Sequence, residues 1–207
     1  MQTSLRSKGI MLVLSSPSGA GKSSLARKLV STSENIVLST SVTTRPIRPG
    51  EVEGQDYYFV TKEKFESMVR EGKFLEWATV FDNLYGTPKD KVEESLNKVQ
   101  DMVFDIDWQG ARTLKQRMPD DIVSIYILPP SMEELRNRLV NRSQDSIEVI
   151  ESRMQKAYLE ASHYTEYDYV IINDNFDESL LKLKSILNAE HLKRHRQINL
   201  DRFVKGL

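Results

Sequence analysis

The chain has 207 residues, 39% hydrophobic and 29% charged, which suits a soluble globular protein with one sizeable core and excludes a disordered chain. Its 29 Lys and Arg against 30 Asp and Glu leave a net charge of −1, so any affinity for nucleic acid or a membrane surface must be local. The lack of cysteine excludes disulfides, thiolate metal sites and cysteine nucleophiles. Without a long apolar run, neither a membrane span nor a secretory leader at Met1–Lys8 is expected, and the cytoplasm is the expected location.

Taken in order, Ile10–Leu14 is a short apolar run without alternation, as in a strand buried on both faces. Ser16-Pro17-Ser18-Gly19-Ala20-Gly21-Lys22-Ser23 follows, then a helical pattern through Leu25, Ala26 and Leu29. Strand, glycine-rich turn, Lys-Ser and helix make a phosphate-binding loop. The glycines let successive N–H groups point at phosphate oxygens, Lys22 reaches the β- and γ-phosphates, and Ser23 offers a hydroxyl to Mg²⁺. The strict pattern starts with glycine; here Ser16 stands there.

Ile36–Leu38 reads as a strand, and Ser41–Gly50 as irregular chain with two prolines and two arginines. Tyr57–Val60 reads as a strand, and Thr61 as the cap of a helix ending at Gly72. Phe74–Phe81 reads as a strand, Leu84-Tyr85-Gly86 as a turn, and Thr87-Pro88 as N-cap and first position of a helix. Met102–Asp107 reads as a buried strand ending in acids, then a helix over 109–118 and a strand over 122–128. Ser131 and Glu134 form a capping box ahead of Leu135 and Leu139. A polar break at Arg142–Ser146, a longer helix through Ile147–Ala161, a buried strand at Tyr169–Ile172 and a helix over 177–191 complete the chain, with a basic tail from Lys193 to Arg202. Strands alternating with helices indicate an α/β domain with a parallel sheet. Residues 40–86 interrupt it as an inserted excursion, and 142–146 form a small flap.

Four further clusters carry chemistry. Arg45 and Arg48, near Tyr57, can grip one phosphate, arginine's planar fork matching its oxygens; a solvated loop is the alternative. Glu76 sits among Phe74, Leu75, Trp77 and Val80, either on a wet strand face or held to accept two parallel hydrogen bonds from guanine N1–H and its amine. Adenine lacks that donor pair, and Ser41 and Thr87 could donate to the base O6. Asp105 and Asp107, two apart on a strand, face one side near its carboxyl end, where acids can hold Mg²⁺ directly or through water; helix capping by Asp107 is the other reading. Arg138 and Arg142 share a helix face, and Arg153 lies across the flap. They could close over a triphosphate or remain surface partners of Glu148 and Glu151. His163, His191 and His195 have no metal-ligand spacing.

These residues together resemble the guanylate kinase family over Gly9–Leu187. The resemblance implies a three-layer P-loop NTPase fold with a parallel core sheet, an inserted mixed-β GMP-binding region and a small helical lid. That is one domain over 1–207, with the core at 1–39, 88–137 and 156–207, the GMP region at 40–87 and the lid at 138–155. It implies phosphoryl transfer from ATP to GMP in purine nucleotide metabolism. ATP would lie on Ser16, Pro17, Ser18, Gly19, Ala20, Gly21, Lys22, Ser23, Ser24 and Asn173. GMP would lie on Ser41, Arg45, Arg48, Tyr57, Glu76, Tyr85, Thr87, Asp105 and Asp107. Lys22, Arg45, Arg138, Arg142 and Arg153 would be catalytic, and Mg²⁺ would take Ser23, with Asp107 acting through water. ATP and GMP are the expected partners, with no nucleic acid or membrane; the sequence leaves the choice between monomer and homo-oligomer open. Ser16 replaces the first P-loop glycine, a place where small residues are tolerated in the family, and Ser143 stands where the family usually has glycine, so the lid would hinge differently. The rivals are a kinase for another nucleoside monophosphate, which Glu76 argues against, and a non-catalytic interaction module, which typically lacks the intact loop that this chain keeps.

Overall fold

A computed structural model describes residues 6–80, 82–142 and 147–207. Strand β1 (Arg6–Ser7) leads to β2 (Met11–Ser15), the glycine-rich loop and α1 (Lys22–Ser31). Next come β3 (Ile36–Leu38), β4 (Val42–Thr43), β5 (Tyr58–Phe59), α2 (Lys62–Arg70), β6 (Phe74–Val80) and β7 (Asn83–Pro88). Then α3 (Lys89–Asn97), β8 (Asp101–Asp105), α4 (Trp108–Arg117) and β9 (Ile122–Leu128) restore the alternation. The chain ends with α5 (Met132–Arg142), α6 (Ile147–Ala161), β10 (Tyr169–Ile172), α7 (Phe176–His191), β11 (Gln197–Ile198) and α8 (Leu200–Val204).

Strand β2 is the middle of a five-stranded sheet in the order β10-β9-β2-β8-β3, parallel throughout. Leu12 and Leu14 pack with Leu25 and Leu29 of α1 and Leu183 and Leu187 of α7. Met11 and Val13 pack on the other face with Val92 of α3 and Leu114 of α4. Cover on both faces is why β2 reads apolar without alternation. Fully burying each such leucine contributes about 2 kcal/mol. The carboxyl ends of these strands are left to carry the site, as in open α/β sheets generally.

The excursion is a second, mixed sheet in the order β5-β4-β7-β6. Strands β4 and β5 pair in parallel, while β7 pairs antiparallel with β4 and β6. Val42, Phe65 and Phe74 form its small core, Phe65 and Phe74 stacking 4.6 Å apart. Helices α5 and α6 share another core around Leu135, Leu139, Ile150 and Met154, and Arg136 pairs with Glu151 across them.

Several local expectations change. Leu84-Tyr85-Gly86 is strand, not turn: the reversal falls between the paired residues Val80 and Asn83, with Asp82 at φ 65°. Gly86 is small for packing, since a Cβ there would lie 2.8 Å from Phe74 Cδ1. Thr87 lies within β7 rather than at a cap, and α3 starts at Lys89 with Pro88 at its N-cap. Asp107 lies beyond β8 and caps α4, accepting from the Gly110 N–H at 3.0 Å. Ser131 accepts from the Glu134 N–H at 3.0 Å, but the Glu134 carboxylate turns to Arg138, so the capping box is half formed. Strand β10 is only half buried: Ile171 is covered while Val170 and Ile172 are exposed, because it is an outer strand. Residues 143–146 of the polar break, Ser143 among them, and Phe81 lie outside the described residues.

Helices α2 and α3 end in the same way with different residues. After α2, Gly72 at φ 66° donates its N–H to Val69 O, and Lys73 donates to Met68 O. After α3, Val99 at φ 57° donates to Leu96 O, and Gln100 to Ser95 O. Both are Schellman ends, which favour glycine at the left-handed position. A β-branched residue there is strained. Val99→Gly should therefore raise stability by about 1 kcal/mol, the relief of strain exceeding the extra freedom glycine gives the unfolded chain. The shift in the urea midpoint, with no change in m-value, measures it.

Candidate active site

The loop between β2 and α1 is shaped for an anion. Gly19 and Gly21 have φ of 94° and 97°, left-handed values that exclude most side chains. A Cβ on Gly21 would collide with Asn173 Nδ2, which itself donates to Ala20 O at 2.8 Å. Among the described residues no side chain caps α1, and its first turn holds no acid, so its amino-terminal N–H groups and dipole face the loop. Ser16 Oγ donates to Pro17 O at 2.9 Å, a bond that a glycine there could not make. Ser23 is exposed at the mouth; Ser24, also exposed on the first turn, does not line the cavity described next.

Lys22 forms an ion pair with Asp105. Burial pushes its ammonium down to about 8, and Asp107 and Glu160 act against that shift. A cavity of about 290 Å³ runs from the loop past Lys22, Asp105 and Asp107 to Glu76. Asp105 and Asp107 thus reach one space, although the second does so as a helix cap rather than along a strand.

At the far end Glu76 is 4% exposed. Thr87 donates its hydroxyl to Glu76 Oε1 at 2.5 Å. In this structure the Thr87 hydroxyl is engaged with the acid and props it. Burial pushes the Glu76 carboxyl up to about 7; Thr87 works against this and Asp107 adds to it. Ser41 is buried and lines the same cavity.

Beside it lies a hollow of about 150 Å³ lined by Ser23, Ser41, Arg45, Arg48, Tyr57 and Tyr85, among others. Arg45 is 8% exposed and donates to Glu51 Oε1 at 2.7 Å and to Pro46 O at 2.8 Å. Its guanidinium lies 5.3 Å from the Tyr57 ring centre. Glu51 also accepts from the Arg48 N–H at 2.8 Å, so one carboxylate fixes both arginine positions. Arg45 is thus not a solvated loop arginine, and a guanidinium held in this way has the donor geometry that a phosphate requires.

A larger hollow, about 700 Å³, opens near Asn35, Asp101 and His191 at the amino ends of the strands, away from the loop. Ligands of parallel α/β sheets sit at the other end.

The description "Guanylate kinase" belongs to the family model that matches residues 8–190. A guanylate kinase of Rhodopseudomonas palustris is 55% identical over 200 residues, covering 97% of this chain and 91% of that one. One from Zymomonas mobilis is 55% identical over 203 residues, covering 98% and 94%. The chain belongs to the guanylate kinase family. The crystal structure of guanylate kinase from Anaplasma phagocytophilum superposes with a TM-score of 0.84 at 43% identity, covering 98% of this chain and 97% of that one.

Of the arginines of α5 and α6 expected at the site from the family resemblance, Arg138 and Arg153 do not line the cavity. Arg138 donates to Glu134 at 2.9 Å and to Asn173 O at 3.2 Å. Arg153 is half-buried on α6 and does not line the cavity. The Arg142 side chain lies outside the described residues. Asn173, expected among the ATP contacts, lies against the loop through its bond to Ala20 O.

Sequence reading missed the second tier of contacts: Glu51 under the two arginines, the Asn173 brace, and Gly110. A Cβ on Gly110 would lie 2.6 Å from Glu76 Oε2 and 3.1 Å from its Cδ, so α4 can roof the acid only with glycine there. Glu51, in the same polar segment as both arginines, was the one visible signal. Gly110→Ala should cost about 2 kcal/mol as an overpacked contact. Glu76→Asp, one methylene shorter, should relieve that cost in the double variant. Urea unfolding of the four proteins gives the coupling energy; additive effects would exclude the contact.

Proposed function

We infer that this chain carries out the reaction of its family, moving the γ-phosphoryl group of ATP to GMP and releasing ADP and GDP. The observation that carries the reading is one continuous space with an anion loop at one end and a buried, propped acid at the other. An arginine- and tyrosine-lined hollow opens beside it. The donor's phosphates belong on the loop, where Lys22 exchanges Asp105 for a phosphate oxygen. The acceptor's phosphate belongs with Arg45, Arg48, Tyr57 and Tyr85, and the base belongs against Glu76 and Ser41.

Phosphoryl transfer of this kind depends on alignment and charge neutralisation rather than covalent help. The acceptor is already anionic near neutral pH, so no strong base is needed. Glu76 reads the base: its carboxylate accepts from N1–H and the exocyclic amine of guanine, and adenine leaves it unpaired in a dry pocket. Arg138, Arg142 and Arg153 are proposed to reach the transferring group when α5 and α6 close, Arg138 first leaving Glu134. Closure also keeps water from the donor.

The donor set fits Mg²⁺: the Ser23 hydroxyl and the Asp105 and Asp107 carboxylates border one space, and hard cations prefer oxygen. An ion shared with substrate phosphates needs only one or two carboxylates from the protein. When bound, Mg²⁺ supplies charge neutralisation at the phosphates. No helix among the described residues is long and apolar enough to cross a membrane, and the cytoplasm, with its ATP and GMP, is the location we assign. A purely binding module is disfavoured by the intact Lys22 loop.

Lys22→Met should lower kcat by about a thousand-fold while leaving the thermal midpoint unchanged, in a coupled ADP-release assay. Retained turnover would refute the loop's role. Glu76 must be ionised to accept from the base, and in the free protein its carboxyl stands near 7. As pH falls through about 7 it gains a proton, so KM for GMP should rise. GMP's own phosphate titrates in every variant, so the component lost in Glu76→Gln belongs to Glu76. That variant should also narrow the preference for GMP over AMP.

A further inference from the structure

One N–H of the anion loop is already bonded to an acid. Ser18 donates its backbone N–H to Glu160 Oε2 at 3.2 Å, across 142 residues of chain. Glu160 sits in the last turn of α6, and the Tyr126 hydroxyl donates to its backbone carbonyl at 2.5 Å. Tyr126 is 1% exposed, on β9 between β10 and β2. The carboxylate is therefore delivered to the loop by a fixed strut rather than by a loose surface side chain. It lines the same cavity as Lys22 and Asp107. Burial pushes its carboxyl up, the Ser18 N–H and Lys22 acting against this and Asp107 adding to it.

A carboxylate oxygen and a phosphate oxygen ask the same thing of a backbone N–H. They are also alike in charge, so they do not share one seat. We propose that Glu160 is a positioning residue for the donor nucleotide: its carboxylate fills one phosphate seat of the loop and is displaced when the polyphosphate enters. It then sets how tightly the donor is held and how readily the spent donor leaves, because the returning acid competes with it. This rests on the reading of the loop as the ATP site. Asp105 does the equivalent at Lys22, so both parts of the cradle, N–H and ammonium, are matched by acids before nucleotide arrives.

A structural brace and a seat-filling anion predict opposite results. Calorimetric titration of the full chain with ATP and with ADP, Mg²⁺ present, should be run on wild type, Glu160→Gln, Glu160→Asp and Lys22→Met. Loss of the competing charge in Glu160→Gln should tighten both nucleotides about ten-fold, as expected for one charge-assisted bond no longer opposed. KM for GMP should stay within about two-fold, and KM for ATP should fall in step with its Kd. Glu160→Asp keeps the charge but draws it back by a methylene from Ser18, and should also tighten ATP. Unchanged or weaker ATP binding in Glu160→Gln overturns the proposal, as does a lowered thermal midpoint with unchanged nucleotide affinity. An effect in Gln that Asp lacks overturns seat-filling as well. The Lys22→Met arm separates the two readings: if it binds ATP as wild type does, the loop is not the ATP site, whatever Glu160 does.

Discussion

A cradle made of backbone N–H groups works only if it is held open from outside, because its own residues must stay too small to fill it. Here Asn173 does the holding. It is 4% exposed, donates its side-chain amide to Ala20 O, and donates its own N–H to the Leu128 carbonyl at the end of β9. Its carbonyl in turn accepts from Arg138. One residue thus joins the sheet, the loop and α5. The glycine at 21 follows from this closeness, since any Cβ would strike the amide that braces the loop.

Around that cradle the charges are arranged in matched groups. Lys22 meets Asp105, and Arg45 meets Glu51, each in a partly buried setting. Such pairs add little net stability once the cost of leaving water is counted. They keep cations in place while no anionic nucleotide is there to do so. The carboxylates nearest the loop then have to give way to phosphates or share a metal with them. Glu76 differs: among the described residues it forms no ion pair, and its side-chain partner is the Thr87 hydroxyl. Its raised titration is the consequence of dryness, and dryness is what makes an unmatched base costly.

Much of this was visible in the chain. The apolar run at 10–14, the Gly-Lys-Ser turn and the later strand–helix alternation give the core, because burial on both faces leaves a plain signature in each strand. The inserted sheet was legible as an interruption, but its hairpin was not. Leu84-Tyr85-Gly86 has the composition of a turn, and only the Phe74 ring against Gly86 explains a glycine within a strand. Thr87-Pro88 likewise has the chemistry of a helix start, but Thr87 is captured by an acid eleven residues earlier. Ion-pair partners across long loops, such as Arg27 with Asp56, leave no local pattern to read. The pairings that sequence does show, such as Arg138 and Glu134 one helical turn apart, compete with the functions expected of those same arginines.

The parallel sheet also has short margins. Its outer strands are three residues at β3 and four at β10. An unpaired row of backbone donors and acceptors invites a foreign strand to add itself, and long flat rows do so most readily. Val170 and Ile172 lie exposed on β10, so this rim would otherwise be a natural seed for misassembly. Keeping it to four residues lets the molecule carry apolar groups at its border while offering neighbours little length to zip onto.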